Sequence, residues 1–379
     1  MTEAELTAKV AEVRSLRDRV AGLDFGNQDK DIFKGELIAI ASNLLAVDLQ
    51  NGFAPYSKEQ FESYIGLTAD WLRQLDNSFE YRLNAEMAYC IEKLVERWNL
   101  QQNPKRVIFT LGEFAVQKIK RNVNTQRIDY LLDMSQITGV PLSREPVFIR
   151  VPDEFKEHIL ANVPLLHEVG HFVDRDNCVT DIIYDDIMPK LEKRKSLKLK
   201  QNYFPRYEGV DIKTIAESPV VVKSHIEEYV ADVFGAQFAG ANILYYASYL
   251  QSKNPYDDAK DHPTLSCRKR LVNSFLEYGK SGRTLDIFLD SILCALNELK
   301  VSTCPFTEAQ LLDANLQLTD TEQMFTIFGT SWNLVDREVR RNGIKKVGKV
   351  NYMQVLNLPY YQIIDANLKR MIRDLMGMA

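Results

Sequence analysis

Helical periodicity of the apolar residues restricts the fold of this chain more than any other feature of its sequence. In most segments apolar side chains recur at intervals of three and four residues, as one buried face of a helix requires. Two short runs differ because they are rich in β-branched and aromatic residues: RVIFTL at 106–111 and PVFIRV at 146–151. The pattern therefore predicts an α+β fold that is predominantly α-helical and contains a small sheet.

Charge and hydropathy exclude several classes of protein. The formal net charge of −5 is too mild for a chain that binds nucleic acid along its whole length. No apolar run approaches the roughly 20 residues that cross a bilayer, and the charged N-terminus lacks the apolar core of an export signal. The five scattered cysteines form neither a CxxC pair nor a disulfide framework. We therefore expect a protein of the reducing cytoplasm without a membrane span.

The distribution of motifs divides the chain into three regions. We predict a helical N-terminal region at residues 1–140, a catalytic core at 141–275 and a helical C-terminal region at 276–379. The five histidines of the chain all fall in the central region: His158, His167, His171, His225 and His262. Because imidazole is both a metal ligand and an acid–base group, the chemistry is expected there.

The segment HEVGH carries the strongest chemical signal. His167 and His171 are four residues apart, so in a helix both imidazoles lie on one face and can bind a single Zn²⁺. Glu168 lies to the side of that face, where it can deprotonate water without being a ligand. The alternative is a chance occurrence in an amphipathic helix. The uncharged flanks favour a buried catalytic helix, and Gly170 indicates that something approaches its backbone closely.

A catalytic zinc site usually has a third protein ligand, and the segment SHIEEYVAD offers two glutamates. Ser224 and Glu227 have the spacing of a capping box, which would give Glu227 a structural role at a helix start. We therefore predict that Glu228 is the third ligand, and that Asp232 holds a ligand histidine through its outer nitrogen. The alternative is that both are solvated surface acids. We expect His225 to be polar surface rather than a ligand.

These motifs resemble those of the gluzincin metallopeptidases, in which two histidines of HExxH and a glutamate of a downstream ExxxD helix bind zinc. A third element, DHPTLSCRKRL, is similar to the His-Pro…Arg segment of the Ste24/HtpX-type peptidases. The resemblance implies a zincin-like core at about residues 145–275. It also implies that His262 and Arg268 lie beside the substrate and help to stabilise a tetrahedral oxyanion. The alternative is a loop histidine and a surface arginine. The sequence departs from that family in lacking the transmembrane helices of most members.

The predicted function is zinc-dependent hydrolysis of peptide bonds in a protein or peptide substrate. One Zn²⁺ per chain would be held by His167, His171 and Glu228, with Glu168 as the general base. The strand at 146–151, if it forms one edge of the sheet above the helix, could bind the substrate by β-addition. Two alternatives stay open: a catalytically inactive binding protein on a zincin scaffold, and a nucleic-acid-associated regulator with a protease domain.

Two basic stretches, residues 189–206 and 337–349, are the only support for the nucleic-acid alternative. The first lies between the two predicted ligand helices, where it could also act as a mobile lid over the cleft. A solvated helix face or a mobile loop is the more ordinary interpretation of such a run.

Overall fold

A computed structural model describes residues 1–25, 28–47, 52–78, 84–99, 105–111, 115–117, 138–191, 197–204, 219–245, 262–283, 286–313, 315–341 and 352–377. Its secondary structure is predominantly helical with a three-stranded sheet, so the predicted α+β class with a small sheet is confirmed. The chain forms two compact units. Met1–Leu83 and Gln102–Asp153 form the first, and Asn84–Gln101 and Glu154–Ala379 form the second. The sequence-based division at residues 140 and 275 follows motif content. The two compact units have other boundaries, since residues 84–101 belong with the second unit and residues 141–153 with the first.

In the first unit, the described residues form three helices and the sheet. The helices are α1 (Glu3–Ala21), α2 (Gln28–Leu45) and α3 (Lys58–Asn77), and the strands are β1 (Lys105–Leu111), β2 (Ala115–Gln117) and β3 (Glu145–Val151). Both α1 and α3 begin with a capping box, which satisfies backbone N–H groups that a helix start leaves open. Their apolar faces share one core with the sheet, in which the ring of Phe33 on α2 packs edge-on against Phe148 on β3.

The sheet has the order β1-β3-β2. Strand β3 pairs in parallel with β1 along its whole length and antiparallel with β2 over residues 148–150. The strands predicted at 106–111 and 146–151 are therefore confirmed. Substrate binding by β-addition at residues 146–151 was conditional on their forming a sheet edge, and that condition is not met because β3 is paired on both sides.

The second unit is helical. Its helices are α4 (Ala85–Arg97), α5 (Pro164–Asn177), α6 (Val179–Leu191), α7 (Leu197–Tyr203), α8 (Pro219–Ala239), α9 (Leu265–Ser281), α10 (Ile287–Ala295), α11 (Glu308–Leu311), α12 (Thr321–Arg341), α13 (Tyr352–Leu356) and α14 (Pro359–Leu375). Helix α8 packs against α5, α6, α9 and α12. Every side chain from 228 to 239 is buried, as a central helix requires. Among the described residues, no helix combines the length and the apolar character that crossing a membrane requires.

Helices α5 and α8 approach each other closely because glycines lie at their interface. A Cβ added to Gly170 of α5 would lie 2.7 Å from the Cα of Ala231 on α8. A Cβ added to Gly235 of α8 would lie 3.3 Å from the backbone nitrogen of His167. The prediction that Gly170 marks a close backbone approach is confirmed, and the approaching element is α8.

The C-terminal helices fix the turn that leads into α5. The Asp365 carboxylate on α14 accepts hydrogen bonds from two backbone N–H groups at residues 159–160, at 2.8 and 3.0 Å. The Tyr361 hydroxyl accepts a third from Ala161, at 3.1 Å. The indole of Trp332 on α12 donates to the Leu160 carbonyl at 2.9 Å. Since α5 has no side-chain cap of its own, these buried contacts hold its entrance in place.

Candidate metal centre

The candidate site is formed where α5 and α8 meet. His167 and His171 lie one turn apart on α5, and their Nε2 atoms are 3.1 Å from each other. Glu228 of α8 places one carboxylate oxygen 3.6 Å from His167 Nε2 and the other 3.4 Å from His171 Nε2. The three predicted ligands therefore converge on one point, which they reach from two helices.

The separations of these atoms fit a small divalent cation. Zinc binds imidazole nitrogen at roughly 2.0–2.1 Å in tetrahedral geometry, so neighbouring ligand atoms lie about 3.3 Å apart. The shortest separations are 3.1, 3.4 and 3.6 Å, of which the last two involve different oxygens of Glu228. With one ligand atom taken from each residue, the three atoms lie within 4.8 Å of one another. Two imidazoles and a carboxylate are a donor set of catalytic zinc sites that leaves one position open, and the same set suits other divalent transition metals.

Asp232 lies behind His167, on the side away from the convergence point. Its Oδ1 atom is 3.0 Å from His167 Nδ1, and the carboxylate is fully buried one turn after Glu228. An Nδ1–H that faces this carboxylate leaves the Nε2 lone pair directed at the centre. This is the orientation that a metal-ligating histidine needs.

Arg268 of α9 contacts two carboxylates of α8, those of Glu228 and Asp232. Its Nε and Nη2 groups donate to the two oxygens of Asp232 at 2.7 Å each, in a bidentate pair. Its Nη1 group lies 3.2 Å from Glu228 Oε2. The resemblance places Arg268 beside the substrate, and its pairing with Asp232 and Glu228 was not predicted. The signal available was the spacing of Glu228 and Asp232, which puts two acids one turn apart on one helix face.

His262 also reaches the site. It lies in the segment before α9, which begins at Leu265, and its Nδ1 atom lies 3.2 Å from Glu228 Oε1. Its side chain is 53% exposed, whereas that of Glu228 is 10% exposed. His262 therefore contacts a candidate ligand from the solvent side of the centre.

Glu168 lies on α5 between the two histidines in sequence and is half-buried. Its charge acts on His171, since it contributes to raising the pKa of that imidazole. A carboxylate that is close enough to influence the site and also open to solvent can exchange protons with water.

The ionisable groups of the site stabilise one another's charges. Burial opposes a charge on His171, but Glu228 more than offsets this effect and raises the pKa of His171 to about 9. Burial also opposes ionisation of Glu228, yet Arg268, followed by His171 and His262, lowers the pKa of Glu228 well below its usual range. Because this environment attracts a proton to an imidazole, it would also attract a divalent cation.

The predicted capping box of Ser224 and Glu227, on which the choice of Glu228 over Glu227 depended, is wrong. The structure nevertheless brings Glu228 to the histidines. Helix α8 begins at Pro219, so Ser224 and Glu227 lie inside the helix and cannot form a capping box at its start. Glu227 instead points toward α5, with its Oε2 atom 3.9 Å from Arg175 Nη2.

The prediction that His225 is polar surface is also wrong. Because α8 starts early, His225 lies beyond the first turn and is fully buried. Its ring stacks against Phe204, with 6.4 Å between centroids and 9° between the planes. His225 is not part of the convergent cluster of candidate ligands.

In the described parts of the basic stretches, aromatic side chains of the first are packed and arginines of the second are paired with acids. Within residues 189–206, α7 is followed by Phe204, whose ring lies 5.6 Å from that of Phe288, and the Tyr203 hydroxyl donates to Asp286. Residues 192–196 and 205–206 lie outside the described residues. In the second stretch, whose residues 342–349 are also outside, three arginines form ion pairs: Arg337 with Glu308, Arg340 with Asp336 and Arg341 with Glu338.

Comparisons of the chain with models of protein families, with curated proteins and with solved structures find no match. Functional assignment therefore rests on the geometry and electrostatics of the site.

Proposed function

We propose that this chain is a zinc-dependent metallopeptidase with a zincin-like core of the gluzincin type. One observation carries the proposal. Glu228, from a separate helix, reaches the Nε2 atoms of His167 and His171, while Asp232 one turn away reaches the outer nitrogen of His167. A chance HExxH pattern has no reason to meet a third ligand and a supporting carboxylate on one neighbouring helix.

Each residue of the centre has a distinct role in this proposal. His167, His171 and Glu228 would hold one Zn²⁺, which when bound polarises a carbonyl group and lowers the pKa of water toward 7. Glu168 takes the proton from the attacking water and returns it to the leaving amine. His262, on the solvent side, donates a hydrogen bond to the developing oxyanion of the substrate.

The substrate is a protein or a peptide under this proposal, and the scattered cysteines favour the reducing cytoplasm as its place of action. We assign no strand to substrate binding, because β3 is paired on both sides.

The two alternatives are less well supported. A catalytically inactive zincin scaffold has no use for Glu168, which stands beside the candidate ligands. A nucleic-acid-binding role needs basic side chains that are available to phosphates. The three arginines described in the second basic stretch are paired with carboxylates, so they do not favour that role.

Metal titration combined with peptide cleavage tests the proposal. The protein, stripped by a chelator, should bind one Zn²⁺ per chain and regain cleavage of a peptide library. Glu168→Gln should retain the zinc and lose cleavage by about 100- to 10,000-fold, because only the base is removed. Failure of the wild-type protein to bind zinc would refute the proposal. Bound zinc with no cleavage of any peptide would instead favour the inactive scaffold.

A further inference from the structure

We propose that Arg268 is a positioning residue of the metal centre, which orients Glu228 and Asp232 toward the cation and does not contact the substrate. This inference rests on the proposed function. It departs from the role that the His-Pro…Arg resemblance implies, because that resemblance places Arg268 beside the substrate.

The two carboxylates that Arg268 contacts lie on either side of one candidate ligand, His167. Asp232 Oδ1, which accepts from Arg268 Nη2 at 2.7 Å, is also the atom 3.0 Å from His167 Nδ1. Glu228 Oε2, which is 3.2 Å from Arg268 Nη1, is also the atom 3.6 Å from His167 Nε2. A single guanidinium thus fixes the carboxylates on both sides of the His167 ring.

The charges explain why the two carboxylates need a shared cation. Glu228 and Asp232 are both buried and lie four residues apart on α8, where like charges repel. Removing a guanidinium from buried carboxylates leaves uncompensated charge, which is strongly destabilising. Without Arg268 the two side chains would turn away from each other, and neither would keep its direction toward the imidazoles.

Arg268 and His262 differ in their contacts and in their exposure to solvent. Three donor groups of Arg268 already face carboxylate oxygens, and its side chain is 12% exposed. The side chain of His262 is 53% exposed. A substrate carbonyl would find a donor at His262, whereas the guanidinium is occupied by Glu228 and Asp232.

Three variants test the inference through metal binding. Arg268→Gln removes the charge, Arg268→Lys keeps it but loses the planar fork that holds two carboxylates, and Arg270→Gln is the matched control. Arg270 lies on the same helix, is exposed and donates to the Asn202 carbonyl at 3.0 Å. The readouts are the Zn²⁺ affinity, measured by competition with a chelator, and the visible absorption spectrum of the Co²⁺-substituted protein.

We expect Arg268→Gln to weaken Zn²⁺ binding by about 10- to 100-fold, as the loss of an outer partner of a ligand typically does. Its Co²⁺ spectrum should shift because the ligands lose their orientation. Arg268→Lys should show a smaller loss, and Arg270→Gln should match the wild type in both readouts.

Several outcomes would overturn the inference. If Arg268→Gln and Arg268→Lys bind Zn²⁺ with wild-type affinity and spectrum but cleave peptides slowly, Arg268 acts on the substrate, and the proposed function survives. If they only melt at a lower temperature, with unchanged metal binding, Arg268 is merely structural. If Arg268→Gln fails to fold, Arg268→Lys decides, and wild-type metal affinity in that variant rejects the inference. Absence of metal binding by the wild type would overturn this inference together with the proposed function.

Discussion

Gly170 faces Ala231 across the interface of α5 and α8 so closely that a Cβ on the glycine would lie 2.7 Å from the Ala231 Cα. Since α5 carries two candidate ligands and α8 carries the third, this contact determines how far apart the ligands lie. A side chain at position 170 would have to push the two helices apart.

We therefore expect Gly170→Ala to weaken both the fold and the metal centre. Overpacking should lower the free energy of unfolding by about 1–3 kcal/mol, and Zn²⁺ affinity should fall with it. Gly66→Ala on α3 is the control, because a Cβ there meets no atom within 4 Å. That change should stabilise the protein by up to about 1 kcal/mol through helix propensity. Urea unfolding of both variants measures the difference, and equal stabilisation by the two changes would contradict the prediction.

Adjacent glutamates on α8 provide a second test. Glu228→Gln replaces a charged ligand by a neutral amide, so we expect Zn²⁺ affinity and peptide cleavage to fall together. Zn²⁺ affinity should fall by at least about 10- to 100-fold, which is what removing an outer partner of a ligand typically causes. Glu227→Gln changes a residue directed at Arg175 and should leave metal binding unaltered. If both variants bind Zn²⁺ like the wild type, Glu228 is not a ligand.

His262→Ala tests whether His262 acts in catalysis and not in metal binding. His262 reaches Glu228 from the exposed side, so its removal should leave about one zinc per chain. Cleavage should slow by about 100- to 1000-fold, as expected for the loss of an oxyanion donor. Metal analysis and turnover are measured on the same preparation. A variant that loses its zinc would show that His262 is itself a ligand.

Asp174 is expected to make stability depend on pH. Its carboxylate accepts hydrogen bonds from the backbone N–H and the hydroxyl of Thr180, at 2.6 and 2.8 Å. Burial nevertheless raises the pKa of Asp174 from 3.8 to about 6, so the native state binds the proton more tightly than the unfolded state. The resulting stabilisation is present below about pH 4 and is lost as the pH rises through 6.

The Asp174→Asn variant has no such proton to lose. Relative to this variant, the wild-type free energy of unfolding should fall by about 2–3 kcal/mol between pH 4 and pH 7. Urea titrations of the two metal-free proteins at both pH values measure the difference. A difference that stays constant across this range would contradict the assignment.

The entrance of α5 gives a further prediction. Asp365→Ala removes the acceptor of two buried backbone N–H groups, so the free energy of unfolding should fall by about 1–3 kcal/mol or more. Asp374→Ala on the same helix is the control, since Asp374 pairs with Arg370 near the surface. That change should cost less than about 1 kcal/mol. Equal losses in the two variants would argue against a special role for Asp365.

Local patterns in the sequence were sufficient to predict several parts of this molecule. Helical class, both strands of the parallel pair and the two histidines on one face of α5 follow from spacing along single elements. Gly170 was informative because a glycine inside a helix has a cost that a close neighbour can explain.

Contacts between distant segments could not be predicted in this way. The start of α8 was misplaced because Ser224 and Glu227 have the spacing of a capping box. The helix instead begins at Pro219, and proline is favoured at the first position of a helix. The burial of His225 followed from that error. Arg268 and Asp365 meet their partners only in the folded unit, and no periodicity along the chain relates an arginine to a carboxylate on another helix.

The hydrogen bonds between α14 and the turn before α5 join two segments that are synthesised at different times. Asp365 and Tyr361 satisfy backbone groups at residues 159–161, which precede them in the chain by 200 to 206 residues. While a ribosome is still making the C-terminal helices, the entrance of the HEVGH helix lacks these acceptors. The candidate ligands are therefore translated long before the helix that carries two of them is fully secured.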